Sequence, residues 1–86
     1  CSSDLIWHAA SLKDAGKPCL KEAAMAKLYA SEMAFRTADR ILQIFGAAGV
    51  TCDYPIERMF RDSRLFRIGE GTSEIQRIQI ARHLLR

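Results

Sequence analysis

Proline occurs only twice and glycine five times in this chain, both confined to a few short stretches, so no part of it reads as a linker or a low-complexity tract. It has no apolar run long enough to cross a bilayer. The stretch Leu5-Ile6-Trp7 is too short for a secretory leader and gives way at once to His8. Cysteine is scarce and odd in number. Cys1, Cys19 and Cys52 are widely spaced, fit no metal-ligand pattern, and point to a reduced intracellular compartment. The formal net charge of +3 is too small to imply a nucleic-acid partner by itself. No segment alternates as a strand, and no segment repeats. What is there is 49% hydrophobic and 27% charged, the balance of a folded chain. With 86 residues it makes one small domain at most, or part of something larger.

The apolar spacing predicts four helices. The first runs from Asp4 to Asp14 with Ile6, Ala9, Ala10 and Leu12 as its stripe, and Ala15-Gly-Lys-Pro18 stops it. The second runs from Pro18 to Phe45. Leu20, Ala24, Leu28, Phe35, Ala38, Leu42 and Phe45 recur mostly at steps of three or four. Pro18 suits the helix start, and Gly46 ends the helix. Six alanines on it (Ala23, Ala24, Ala26, Ala30, Ala34, Ala38) permit close helix approach, and its length and amphipathicity suggest a bundle. Glu32 and Arg36 have the spacing of an i,i+4 pair on the opposite face. A flexible turn is expected over 46–50. A third helix follows from Pro55 to Ile68, with Asp53 or Tyr54 at its cap and Ile56, Met59, Phe60 and Phe66 inward. After Gly69-Glu70-Gly71 a fourth helix starts at Thr72 or Ser73. Ser73 and Gln76 have the spacing of a capping box, and Ile75, Ile78, Ala81 and Leu85 form the apolar face. The fold class is all-α.

Three features bear on chemistry. Glu70 is a lone carboxylate between two glycines, directly before a helix N-terminus. Glycine on both sides lets backbone approach a ligand, and the helix start offers unpaired N–H groups. A base beside oriented donors is what proton abstraction next to a carbonyl requires. Taken locally, Glu70 reads more simply as a surface carboxylate complementing the helix dipole. Gln43-Ile-Phe-Gly-Ala-Ala-Gly-Val50 carries a long helix into a glycine-containing turn whose amides could meet a phosphate, although a plain helix stop is the simpler reading. Arg58, Arg61, Arg64 and Arg67 form a ladder, but steps of three drift around a helix, and Glu57 and Asp62 lie among them, so nucleic-acid binding is not expected. His8 and His83 lack partners of a ligand pattern, and Met25, Met33 and Met59 read as core filler.

Five stretches in order resemble acyl-CoA dehydrogenases, most closely the short- and medium-chain type: Leu12-Lys-Asp-Ala-Gly-Lys-Pro18, Glu22-Ala-Ala-Met-Ala-Lys-Leu28, Gln43-Ile-Phe-Gly-Ala-Ala-Gly-Val50, Tyr54-Pro-Ile-Glu-Arg-Met-Phe-Arg-Asp62 and Glu70-Gly-Thr-Ser-Glu-Ile-Gln-Arg77. Together they cover nearly the whole chain, and the resemblance reverses the local reading of Glu70. It implies the C-terminal part of a four-helix bundle whose first helix is missing, in a parent with an N-terminal helical domain and a middle β domain. It implies FAD as cofactor, an acyl-CoA thioester as substrate, α,β-dehydrogenation, an electron-transfer flavoprotein as acceptor, and a homo-oligomer, dimer or tetramer, with no membrane insertion. A bacterial cytoplasm or a mitochondrial matrix is the implied location.

By the same resemblance Glu70 is the catalytic base and its own N–H helps hold the thioester carbonyl. Gly71 lines the substrate, and Thr72 and Glu74 contact FAD. Gln43, Ile44, Phe45, Gly46 and Ala47 reach FAD held mainly by a neighbouring subunit. Where the family often has an aromatic before the glutamate, this chain has Gly69, and the family's second turn glycine is Ala47. Residues 1–5 do not match and read as foreign or frayed. Two other readings stay open: an acyl-CoA oxidase of the same fold, and a non-catalytic helical interaction module.

Overall fold

The computed structural model describes residues 2–85. Four helices make up the fold: α1 (Ser2–Asp14), α2 (Leu20–Phe45), α3 (Ile56–Phe66) and α4 (Ser73–Leu84), with a short 3₁₀ helix over Gly46–Val50 and no strand among the described residues. The all-α expectation holds. α1 is helical from Ser2, so residues 2–5 continue the helix, and Leu5 faces α2 across a shallow cleft.

α2 is the spine, 26 residues or about 39 Å long. Among the described residues α1, α3 and α4 each pack on it rather than along one another. The cross-helix contacts give the layout. The Phe60 ring lies 5.2 Å from that of Phe35, Arg67 reaches Glu32, and Ser73 also reaches Glu32. His83 lies beside Lys21 at the start of α2. α3 therefore runs antiparallel along the C-terminal half of α2, and α4 continues in the same direction along its N-terminal half. The two tile the spine end to end, and the break between them falls near its middle.

Small residues allow this closeness. The buried positions of α2 are Ala24, Ala26, Ser31 and Ala38, and Ile56 of α3 is 5% exposed. No large side chain is fully buried among the described residues. The expected inward faces hold only in part. Leu20, Met59 and Phe66 are exposed, as are Ile75, Ile78 and Leu85. On α4 the more shielded positions are instead Gln76, Gln79, Ile80 and His83, because this polar-edged stripe is the one that meets α2.

The helix ends differ from expectation in instructive ways. α2 begins at Leu20, with Cys19 as a cap that makes no side-chain bond. At its other end Gly46 takes φ +63, and its N–H donates to the carbonyls of Gln43 and Leu42. This positive-φ stop is one that glycine, having no Cβ, adopts at low cost. The segment after it is a 3₁₀ turn rather than a flexible loop. A Cβ at Gly49 would stand 2.8 Å from the Leu42 carbonyl, so this turn lies flush on the last turn of α2. Neither Asp53 nor Tyr54 caps α3. Pro55 occupies the cap, and Tyr54 folds its ring to 5.3 Å from Phe45. No helix is long and apolar enough to cross a membrane.

Candidate functional site

The break between α3 and α4 concentrates the unusual features. Glu70 takes φ +56 and is the only non-glycine residue with positive φ among the described residues. A left-handed backbone costs an L-residue with a Cβ roughly 1–2 kcal/mol. Such a conformation persists when its surroundings over-determine it. Here they do. The Gln76 side-chain amide donates to the Glu70 carbonyl at 3.2 Å, and the Lys27 ammonium donates to the Gly71 carbonyl at 2.6 Å. Gly71 itself takes φ +100, and a Cβ on it would lie 2.5 Å from Gln76 Nε2. The backbone conformation favours glycine there, and any Cβ would push the Gln76 amide from its place.

The start of α4 is capped by Thr72, whose hydroxyl accepts from the Ile75 N–H at 3.2 Å. The expected Ser73–Gln76 capping box does not form, since the Ser73 side chain turns to α2 and Gln76 reaches back to Glu70. The Ser73 N–H is taken by the Arg67 carbonyl and the Gln76 N–H by the Thr72 carbonyl. Among the described residues no hydrogen bond engages the N–H groups of Glu70, Gly71, Thr72 or Glu74. Those donors, at the positive end of a helix, suit an acceptor-rich ligand edge.

Beside them opens a mostly apolar cleft of about 730 Å³, floored by Lys27, Ala30, Ser31 and Ala34 of α2 and walled by Leu65, Phe66, Gly69 and Glu70. The small residues of α2, at helical spacing, make the hollow, and Gly69 leaves its mouth without a side chain. Glu70 thus lines an apolar trough next to a row of free amides, and the residue is exposed.

A polar knot locks the joint to the spine. Glu32 accepts from Ser73 Oγ at 2.6 Å and from Arg67 Nε at 3.1 Å. The Ser73 hydroxyl holds the Glu32 carboxyl below the usual carboxylate range, against the upward push of partial burial, with Arg67 adding to the lowering. The expected Glu32–Arg36 pair is therefore replaced by a cross-helix one, because Arg67 and Ser73 bracket the break and both face α2. Arg67 also lies over the Phe35 ring at 4.8 Å, with Arg64 at 5.5 Å. The first two arginines of the ladder pair with neighbours on their own helix, Arg58 with Asp62 and Arg61 with Glu57. No continuous basic stripe results. Among the described residues no group of His, Cys, Asp and Glu could hold a metal.

Of the residues singled out in the sequence, Glu70, Gly71, Thr72 and Glu74 come together at the joint. Gln43, Ile44, Phe45, Gly46 and Ala47 do not. They cluster at the far end of α2, about 20 Å along the helix from the joint, with Ile44 82% exposed. Ala47 is exposed and has no positive φ, so a side chain is accommodated where the family pattern has glycine. Lys27 and Gln76 were not foreseen as site residues. A single cation on the otherwise small-residue face Ala30, Ser31, Ala34 was the available signal for Lys27.

Residues 2–85 match the model of the acyl-CoA dehydrogenase C-terminal domain. The chain belongs to the acyl-CoA dehydrogenase family. It is 56% identical over 82 residues to the mitochondrial short-chain specific acyl-CoA dehydrogenase of Homo sapiens, covering 95% of this chain and 20% of that protein. A probable acyl-CoA dehydrogenase of Bacillus subtilis is 55% identical over 82 residues, covering 95% of this chain and 22% of the relative. Among solved structures, butyryl-CoA dehydrogenase from Megasphaera elsdenii superposes with a TM-score of 0.95 at 40% identity, over 99% of this chain and 22% of that one. The chain thus spans about a fifth of the length of the acyl-CoA dehydrogenases it matches.

Proposed function

We propose that the full-length protein carrying this chain removes two hydrogens from the α and β carbons of an acyl-CoA thioester, with Glu70 as the base. The observation that carries the reading is the left-handed Glu70, held at the mouth of an apolar cleft beside unengaged backbone amides. An acyl chain suits the trough over Ala30 and Ala34. In this reading the unengaged Glu70 N–H donates to the thioester carbonyl, so the enolate charge that develops as the α-proton leaves meets a hydrogen-bond donor. Glu70 takes that proton. Gly71, without a side chain, lets the substrate lie against the backbone.

FAD, when bound, supplies the acceptor for the β-hydride. Thr72 and Glu74 would hold it at the start of α4, where free N–H groups suit its acceptor edges and the Thr72 hydroxyl can still donate. Gln43, Ile44, Phe45, Gly46 and Ala47 lie about 20 Å along α2 from the joint. They would serve a cofactor held mainly by another subunit, which ties cofactor binding to a dimer or tetramer. An electron-transfer flavoprotein is the proposed acceptor, and the relatives' bacterial and mitochondrial settings suggest a cytoplasm or a mitochondrial matrix.

The test is Glu70→Gln in the full-length protein. Flavin content should survive while turnover of an acyl-CoA falls by orders of magnitude. Turnover at the wild-type rate would remove Glu70 from the role of base. Comparing peroxide release with reduction of an electron-transfer flavoprotein in the wild type separates dehydrogenase from oxidase.

A further inference from the structure

We infer that Lys27 and Gln76 are positioning residues, a two-sided clamp on the carbonyls of Gly71 and Glu70 that sets the place of the Glu70 carboxylate; this rests on the proposed role of Glu70 as base. The clamp comes from two different helices. Lys27 stands on the spine α2 and Gln76 on the first turns of α4, and their donors meet consecutive carbonyls of the joint at 2.6 Å and 3.2 Å.

A charge-assisted bond of the length Lys27 makes is among the stronger hydrogen bonds a side chain can form. Lys27 is only partly exposed and forms no ion pair among the described residues, so the Gly71 carbonyl is its one recorded partner. An ammonium group held at a carbonyl rather than at a carboxylate is an arrangement that salt-bridge stability does not account for.

Peptide planarity turns the clamp into a director of the neighbouring donors. Every peptide bond among the described residues is trans. In a trans peptide the C=O and the following N–H point in opposite directions. Drawing the Glu70 carbonyl toward Gln76 and the Gly71 carbonyl toward Lys27 therefore turns the Gly71 and Thr72 N–H groups the other way, where neither is engaged. The same two bonds fix ψ of Glu70 and both torsions of Gly71. The left-handed Glu70, which its own side chain does not favour, is held from its C-terminal side. Glycine at 71 follows from the clamp as well, because a Cβ would displace the Gln76 amide.

The experiment uses full-length protein carrying Lys27→Met, Lys27→Arg, Gln76→Met or Glu70→Gln. Lys27→Met keeps length and apolar bulk but has no donor, whereas arginine can still donate to the carbonyl. Misplacement of a reacting group by about 1 Å can cost about 100-fold in rate. Lys27→Met is expected to lower kcat by about 10- to 100-fold with KM within about threefold, flavin content and melting temperature being kept, and Lys27→Arg to recover most of the loss.

An activity-independent readout is amide hydrogen exchange. Exchange over residues 69–73 should quicken in Lys27→Met and return toward wild type in Lys27→Arg, with the rest of α2 unchanged. If Lys27→Met does not fold, Gln76→Met carries the same expectations for kcat and exchange. Wild-type kcat and exchange in Lys27→Met would overturn the inference, as would an arginine variant no better than methionine. Should Glu70→Gln retain turnover, it is the base assignment that falls. Loss in Glu70→Gln together with full activity in Lys27→Met would sink the clamp alone.

Discussion

Glu32 shows what one side chain does for the joint. Its carboxylate ties Arg67, the residue after α3, to Ser73, the first residue of α4, and so holds both sides of the break against α2. Its acidity is raised in the fold, chiefly by the Ser73 hydroxyl. A carboxyl whose folded pKa is depressed contributes stability above its unfolded value and loses it as the pH falls through the folded one. Replacing Glu32 with Gln should therefore cost the full-length protein about 1 kcal/mol near neutrality, discounted for partial exposure. The gap in melting temperature between wild type and variant should close on acidification below the ordinary carboxylate value. A gap that stays constant down to strongly acid pH would show that the charge is irrelevant. Partners of this kind are hard to foresee from a chain. Arg36 has the right spacing on the same helix, but Arg67 and Ser73 become available only once two helices fold along a third. Gln76 teaches the same lesson: its spacing from Ser73 suggested a cap, while the left-handed turn at Glu70 brought a carbonyl within reach instead.

At the level of elements, the boundaries were the legible part. Gly16, Pro18, Gly46, Pro55 and the Gly69–Gly71 pair punctuate the chain, and each helix ends within a few residues of them. Which face turns inward was less so. Ile75 and Ile78 of α4, with Leu85 just past its end, form as good an apolar stripe as the one that packs, yet they lie exposed, because periodicity reports that a face is greasy and not what it meets. Alanine was the more reliable guide. Ala24, Ala26 and Ala38 are buried because α2 is approached closely from three sides. Ala38→Leu should wedge α3 from the spine and lower stability by about 1–3 kcal/mol, read as a shift in the denaturation midpoint. An unchanged midpoint would mean that α3 is held elsewhere.

At the scale of the molecule, the fold is a platform rather than a closed core. The described residues measure 48 × 23 × 18 Å, three helices pack along the spine rather than along one another, and Ile44, Val50, Leu65, Phe66 and Leu85 stand open. Made alone, the 86-residue chain should self-associate, since apolar faces of this extent seldom stay bare in water. Sedimentation over a range of concentrations tests this, and a cooperatively melting monomer would refute it.

The end-to-end placement of α3 and α4 also fixes how long the joint can be. Loops usually tolerate an added residue. Here one extra residue between Gly69 and Gly71 would displace the start of α4, which is fastened to the spine on both sides of the break. Ser73 would swing away from Glu32 and Gln76 from the carbonyl it holds. The segment is a loop by appearance, but its length is set by the fastenings on either side, much as a strap between two closed buckles cannot be let out.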